Sequence, residues 1–262
     1  MTQDEINQAL ELARLQKHVR LEDDRRKALA KQMREDLMQP WTPKDMWQFV
    51  KQRGTIALRE RTGDHTVEFV ATKEQIPIFK ALCLYFTNNK EFENLNHEDY
   101  NTTGLPFSLQ KGIWLWGNPG VGKTLIMAMF SRNKKQCYRL LQCPKIVASY
   151  NLKDNGGYDA IRQYARIWLE PVGASNFFQD TIGICYNDLG TEPIRAMNYG
   201  NEINVMETLF LETYESKVPF HHRHVTTNLT ADQVEACYGV RIKDRIRESF
   251  NVLELHGKSL RR

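Results

Sequence analysis

The chain has 262 residues and a formal charge of +4, with 36 Lys and Arg against 32 Asp and Glu, which suits one sizeable α/β domain plus a smaller appendage. So modest a charge permits an anionic polymer as a partner without naming one. Five cysteines without a Cys-x-x-Cys pair argue against a zinc or disulfide framework, and with no long apolar run and no signal-like N-terminus the expectation is a cytoplasmic protein that makes no membrane contact.

Residues 1–38 are charged with both signs, open on Thr2-Gln-Asp-Glu5 and hold no Pro or Gly, a pattern that predicts a helical arm. Its apolar positions (Ile6, Leu10, Leu29, Met33, Leu37) make a stripe only in patches, as in a solvated or partner-binding arm. Thr42-Pro43-Lys44-Asp45 signals a second helix with Thr42 as N-cap, which Gly54 is expected to end. Residues 55–58 and 66–70 are strand-like or irregular, and Thr72-Lys-Glu-Gln75 opens a helix to about Phe86. Residues 1–65 thus form a small, mostly helical N-terminal region, and 66–262 form the main domain. Residues 87–110 are Asn-rich and aperiodic, which predicts a long surface connection.

Beyond Gly112 the pattern alternates. Strands are expected at Ile113–Trp116, Tyr138–Gln142, Thr181–Tyr186 and His224–Thr227. Helices are expected at Thr124–Phe130, about Lys145–Tyr150, Tyr158–Trp168 and about Asn201–Ser216. This alternation predicts an α/β fold whose parallel sheet carries helices on both faces.

Between the first strand and its helix stand Gly117, Asn118, Pro119, Gly120, Val121, Gly122, Lys123 and Thr124, followed by Leu125. They match the phosphate loop G-x-x-x-x-G-K-[ST] in its confirming strand–turn–helix context. Backbone N–H groups and the helix N-terminus suit a β-phosphate. Lys123 suits the β- and γ-phosphates, and the Thr124 hydroxyl suits Mg²⁺, so ATP and Mg are the expected ligands.

Hydrolases with this loop hold the metal through an acid at the end of a neighbouring strand, but here the strand runs into Asn187-Asp188-Leu189-Gly190. Two registers are open. In the favoured one Asn187 keeps the metal place and Asp188 orients water, so that Asn187→Asp raises turnover; in the other Asp188 serves the metal and hydrolysis is slow.

These motifs, in order, resemble the AAA+ ATPases of the bacterial helicase-loader group, the DnaC-like loaders and the ATP-binding proteins of insertion sequences. The resemblance spans roughly residues 66–262. It is carried by the phosphate loop, Asn187-Asp-Leu-Gly-Thr-Glu192, Val225-Thr-Thr-Asn228-Leu, Tyr238-Gly-Val-Arg-Ile-Lys-Asp244-Arg245-Ile and Gly257-Lys-Ser-Leu-Arg261-Arg262.

It implies an ATP hydrolase that loads a replicative helicase or serves a transposase, assembles into an oligomer and contacts single-stranded DNA. An ATP-switched scaffold with little hydrolysis is the alternative, and a small-molecule kinase is disfavoured. It further implies that Asn228 is a sensor beside the γ-phosphate; a cap on the helix begun by Thr230-Ala-Asp-Gln233 is the alternative role, and the two are compatible. Arg245 would be the finger offered to a neighbour's ATP, and Arg261 a second sensor at the nucleotide. Lys134, Lys135, Lys153, Arg162 and Arg166 are candidate DNA contacts or a solvated face. His221, His222 and His224 read as structural rather than metal-binding, and Trp114, Trp116 and Trp168 as core.

Overall fold

The computed structural model describes residues 39–100, 104–133, 135–166, 182–216 and 219–260. The arm at 1–38, Lys134, Trp168 and Arg261 lie outside the described residues. The compact unit set out below is Trp41–Arg262.

Helix α1 (Pro43–Thr62) opens as the sequence signals: Thr42 Oγ1 accepts from the Asp45 N–H, Asp45 Oδ2 accepts from the Thr42 N–H, and Pro43 takes the first turn. It does not end at Gly54. A Cβ on Gly54 would stand 2.7 Å from both Met129 Cε and Phe69 Cγ, so the glycine provides a close approach and the helix continues through 55–62. Gly63, at φ 71°, supplies the left-handed cap. The segment 66–70 forms no strand; it is irregular and anchored by Phe69, whose N–H donates to Thr55 Oγ1.

Helix α2 (Gln75–Phe86) follows, buried along most of its length. Residues 87–110 are more than a surface connection. Two short 3₁₀ turns, Lys90–Phe92 and His97–Asp99, bring Phe92, Tyr100, Phe107 and Leu109 into the core.

The rest alternates as expected. Strand β1 is Gly112–Gly117, α3 Lys123–Phe130, β2 Tyr138–Gln142, α4 Cys143–Tyr150, α5 Tyr158–Arg166 and β3 Gly183–Leu189. Where a helix from Asn201 was expected, β4 (Ala196–Asn198) and β5 (Asn201–Ile203) form a hairpin, and α6 occupies Val205–Glu215 behind an Asn204 cap. Then come β6 (Arg223–Thr227), α7 (Ala231–Tyr238), α8 (Val240–Ser249) and β7 (Phe250–Leu255), the last an edge strand absent from the sequence expectation.

The main sheet is parallel throughout, in the order β2-β3-β6-β1-β7. Successive side chains alternate between its faces. Ile113, Leu115, Cys185, Leu253 and Leu255 pack with α1, α2 and α3 on one face; Trp114, Ile184, Tyr186 and Val225 pack with α4 to α8 on the other. The fold is therefore α/β, a parallel sheet covered on both faces, as the alternation predicts. Because β6 lies between β1 and β3, the C-terminal ends of three strands converge at a crossover point, where open sheets of this kind bind ligands.

Candidate nucleotide site

Strand β1 runs out at Gly117, and the loop to Gly122 turns through left-handed backbone at Gly120 (φ 81°) and Gly122 (φ 102°). Gly120 is also a close approach, since a Cβ there would meet Ser259 Oγ at 2.2 Å. Two flanking segments hold the loop. Gln75 Nε2 donates to Val121 O at 3.0 Å, and the Leu260 N–H donates to Gly120 O at 2.9 Å.

Lys123 begins α3 and is only 5% exposed. Its Nζ donates to Gly117 O and Asn118 O, both at 2.8 Å, and to Asn228 Oδ1 at 2.6 Å. Asn228 follows directly on β6 and so reaches the loop from the adjacent strand. It is not the cap of α7: Thr230 is, in a full capping box with Gln233.

The acidic strand contains a register shift between Tyr186 and Leu189. Such a bulge re-aims a side chain, and Asp188 stands within it at φ 57°, a conformation Asp tolerates better than most residues. Its N–H donates to Thr226 Oγ1 at 2.9 Å, and the Thr226 hydroxyl donates to Asn187 Oδ1 at 2.8 Å. The carboxylate emerges beside the loop, where Thr124 Oγ1 donates to Asp188 Oδ1 at 3.3 Å. Asn187 is fully buried and donates through Nδ2 to Asp188 Oδ2 at 2.8 Å. It holds β3 to β6 and does not line the cleft, whereas Asp188 does.

That cleft, about 390 Å³, brings Lys123, Thr124, Asp188 and Asn228 together. It also takes in Leu58 and Arg61 from α1, Thr191 after β3, and Leu260 near the end of the chain. None of these four belongs to the phosphate-loop motif; Thr191 falls within the Asn187–Glu192 run and Leu260 within the Gly257–Arg262 run, whereas Leu58 and Arg61 carry no sequence signal. A glycine-rich loop leading into a helix N-terminus, a lysine and a hydroxyl–carboxylate pair fit a nucleoside triphosphate with its divalent cation.

Arg245 lies on α8, outside the cleft. Its guanidinium stacks 3.9 Å from the Tyr214 ring centroid, and Tyr214 Oη donates to Glu248 at 2.6 Å. Tyr214 stacks in turn on Phe220, over which lies Arg223. The guanidinium is thus held by an aromatic face rather than by the acids next to it in sequence.

Lys135 is not a surface cation. Its Nζ donates to Leu109 O at 2.7 Å and lies 3.6 Å from the Tyr85 ring centroid, and burial lowers its pKa to about 7. His224 is wholly buried among Tyr85, Phe86 and Tyr138; its Nδ1 accepts the Ile113 N–H, and burial holds it well below the ordinary imidazole value. Among the described residues no cluster of His, Cys, Asp and Glu could hold a metal ion, and no helix is long and apolar enough to cross a membrane. Trp114 is core, packed on Phe210 and Phe250, and Trp116 is half-buried beside it.

No family profile matches the chain, and no curated protein does. Among solved structures, the crystal structure of the DnaC helicase loader is similar over 73% of this chain and 95% of that one, at 13% identity and a TM-score of 0.45. Likeness at that level carries no argument about activity. The sheet, glycine loop and lysine-led helix define this chain as an α/β protein with a P-loop architecture.

Proposed function

We propose that the chain is an ATP-binding AAA+ ATPase that serves as a helicase loader or as the accessory ATPase of a mobile element. The observation that carries the nucleotide reading is the contact between the Thr124 hydroxyl and Asp188 beside the glycine loop. The loader or transposition role rests on the order of the five motifs. Self-assembly, a helicase or transposase partner and single-stranded DNA follow from the same resemblance.

Gly117 to Leu125 bind the triphosphate, with Arg261 as a further contact. Lys123 exchanges its carbonyl partners for phosphate oxygens, and the Asn228 amide orients water. A bound magnesium ion supplies charge neutralisation on the phosphates. Thr124 and Asp188 would hold it, a reading that favours the second register, with Asp188 as the metal acid and Asn187 as a buried tie between strands. Arg245, steadied on Tyr214, is offered to the ATP of a neighbouring subunit, where such fingers are worth about 10³ to 10⁵ in rate.

A second reading, an ATP-switched scaffold with little turnover, is favoured by one feature. Among the described residues that line the cleft, Asp188 is the only carboxylate; committed to the metal, it leaves no acid to activate water. Steady-state hydrolysis measured against protein concentration, with and without single-stranded DNA, separates the two. The ATPase reading expects specific activity to rise with concentration; saturable ATP binding with flat, near-zero turnover in all conditions leaves the scaffold.

A further inference from the structure

Helix α1 runs antiparallel to α3, and the register between them is fixed. Arg53 Nη2 donates to Ala128 O at 2.9 Å and to Ser131 Oγ at 3.1 Å, beside the Gly54–Met129 approach. From Arg53 to Arg61 is eight residues, as it is from Ser131 back to Lys123. At about 1.5 Å per residue both steps cover about 12 Å, so the last turn of α1 arrives beside the phosphate loop. Leu58 and Arg61 accordingly line the cleft with Lys123 and Thr124.

The last turn of a helix presents carbonyl dipoles that disfavour an anion, and α1 ends at a cleft built for one. Its two last-turn arginines differ. Arg59 is tied back, its Nε donating to Val67 O at 2.9 Å, whereas Arg61 is exposed, lines the cleft and meets no carboxylate among the described residues. Among the described residues that line the cleft, Lys123 and Asp188 cancel in charge, which leaves Arg61 to face the net negative charge of a metal-bound triphosphate.

We propose that Arg61 is a further cation of the nucleotide cleft, supplied by α1 of the same chain and pairing with the phosphates of the bound nucleoside triphosphate. This rests on the cleft being the nucleotide site. A guanidinium paired with phosphate gains charge-assisted hydrogen bonds that a neutral side chain cannot make, and a lysine retains the charge but not the fork.

The test is titration of the full chain with ATP and with ADP, each with Mg²⁺, for wild type, Arg61→Gln, Arg61→Lys and Lys123→Ala. Arg61→Gln is expected to weaken ATP about tenfold and ADP less, and to reduce the salt dependence of binding. Arg61→Lys is expected to recover most of the loss. Wild-type ATP affinity in Arg61→Gln overturns the inference. So does equal loss in both variants for both nucleotides, which marks stacking on the base. If Lys123→Ala binds as wild type does, the nucleotide reading itself falls, and Arg61 with it; loss in Lys123→Ala beside an indifferent Arg61→Gln sinks Arg61 alone.

Discussion

Asp188 reaches the cleft because three side chains cooperate to hold its backbone in left-handed geometry. Thr226 accepts the Asp188 N–H and donates to Asn187, which donates to the Asp188 carboxylate. Thr226→Val leaves a buried amide oxygen and an N–H without partners, at about 1–3 kcal/mol each. We expect a stability loss of about 2–6 kcal/mol, read from denaturant midpoints, together with weaker Mg·ATP binding. Asn187→Asp removes the donor to Asp188 and buries a second carboxylate beside the first, so it should destabilise by about 3 kcal/mol and leave turnover flat or lower. This reverses the sequence expectation. Asp188→Asn should weaken Mg·ATP binding as well as hydrolysis; intact binding with lost hydrolysis would restore the register in which Asn187 serves the metal. Lys135 makes a separate prediction. Burial lowers its pKa from 10.5 to about 7, so across that window the unfolded chain holds a proton that the folded chain lacks, and stability rises with pH. Lys135→Met should flatten that rise, and a stability–pH curve parallel to wild type would contradict the assignment.

At the scale of elements, local signals were legible and tertiary ones were not. The Thr42–Asp45 start is read by groups three residues apart, and the phosphate loop by an eight-residue motif, whereas the cap of α7 is Thr230 and not the Asn228 that the sequence offered. Gly54 carries the same local signal as a helix stop, but its role is set by Phe69 and Met129, which no local pattern contains. Gly54→Val should therefore cost about 2 kcal/mol through overpacking, seen as a lower denaturant midpoint; an unchanged midpoint would show that Met129 moves aside freely. The β4–β5 hairpin was missed because its turn is Tyr199-Gly200, at φ 48° and 84°, where Asn-Gly is the usual marker. Asn198 Nδ2 anchors it to the end of α4 through Tyr150 O and Leu152 O, both at 2.9 Å. In the site, Lys123, Thr124, Asp188 and Asn228 were legible because motif and strand ends coincide. Leu58, Arg61 and Leu260 reach the cleft only through packing of α1 and the C-terminal segment.

On the proposed function the molecule works at two scales, with a cleft inside one chain and Arg245 offered from one chain to the next. Arg245→Ala should leave ATP binding nearly intact yet suppress hydrolysis. Mixed with Lys123→Ala, which retains the finger but not the loop, it should recover activity. Two dead variants that co-assemble and stay dead would remove Arg245 from the mechanism. The cleft itself is tested most directly by titrating a fluorescent ATP analogue, with and without Mg²⁺, into wild type and Lys123→Ala. The account predicts saturable binding by wild type that tightens with Mg²⁺ and is abolished in Lys123→Ala, whereas identical curves for the two proteins would contradict it.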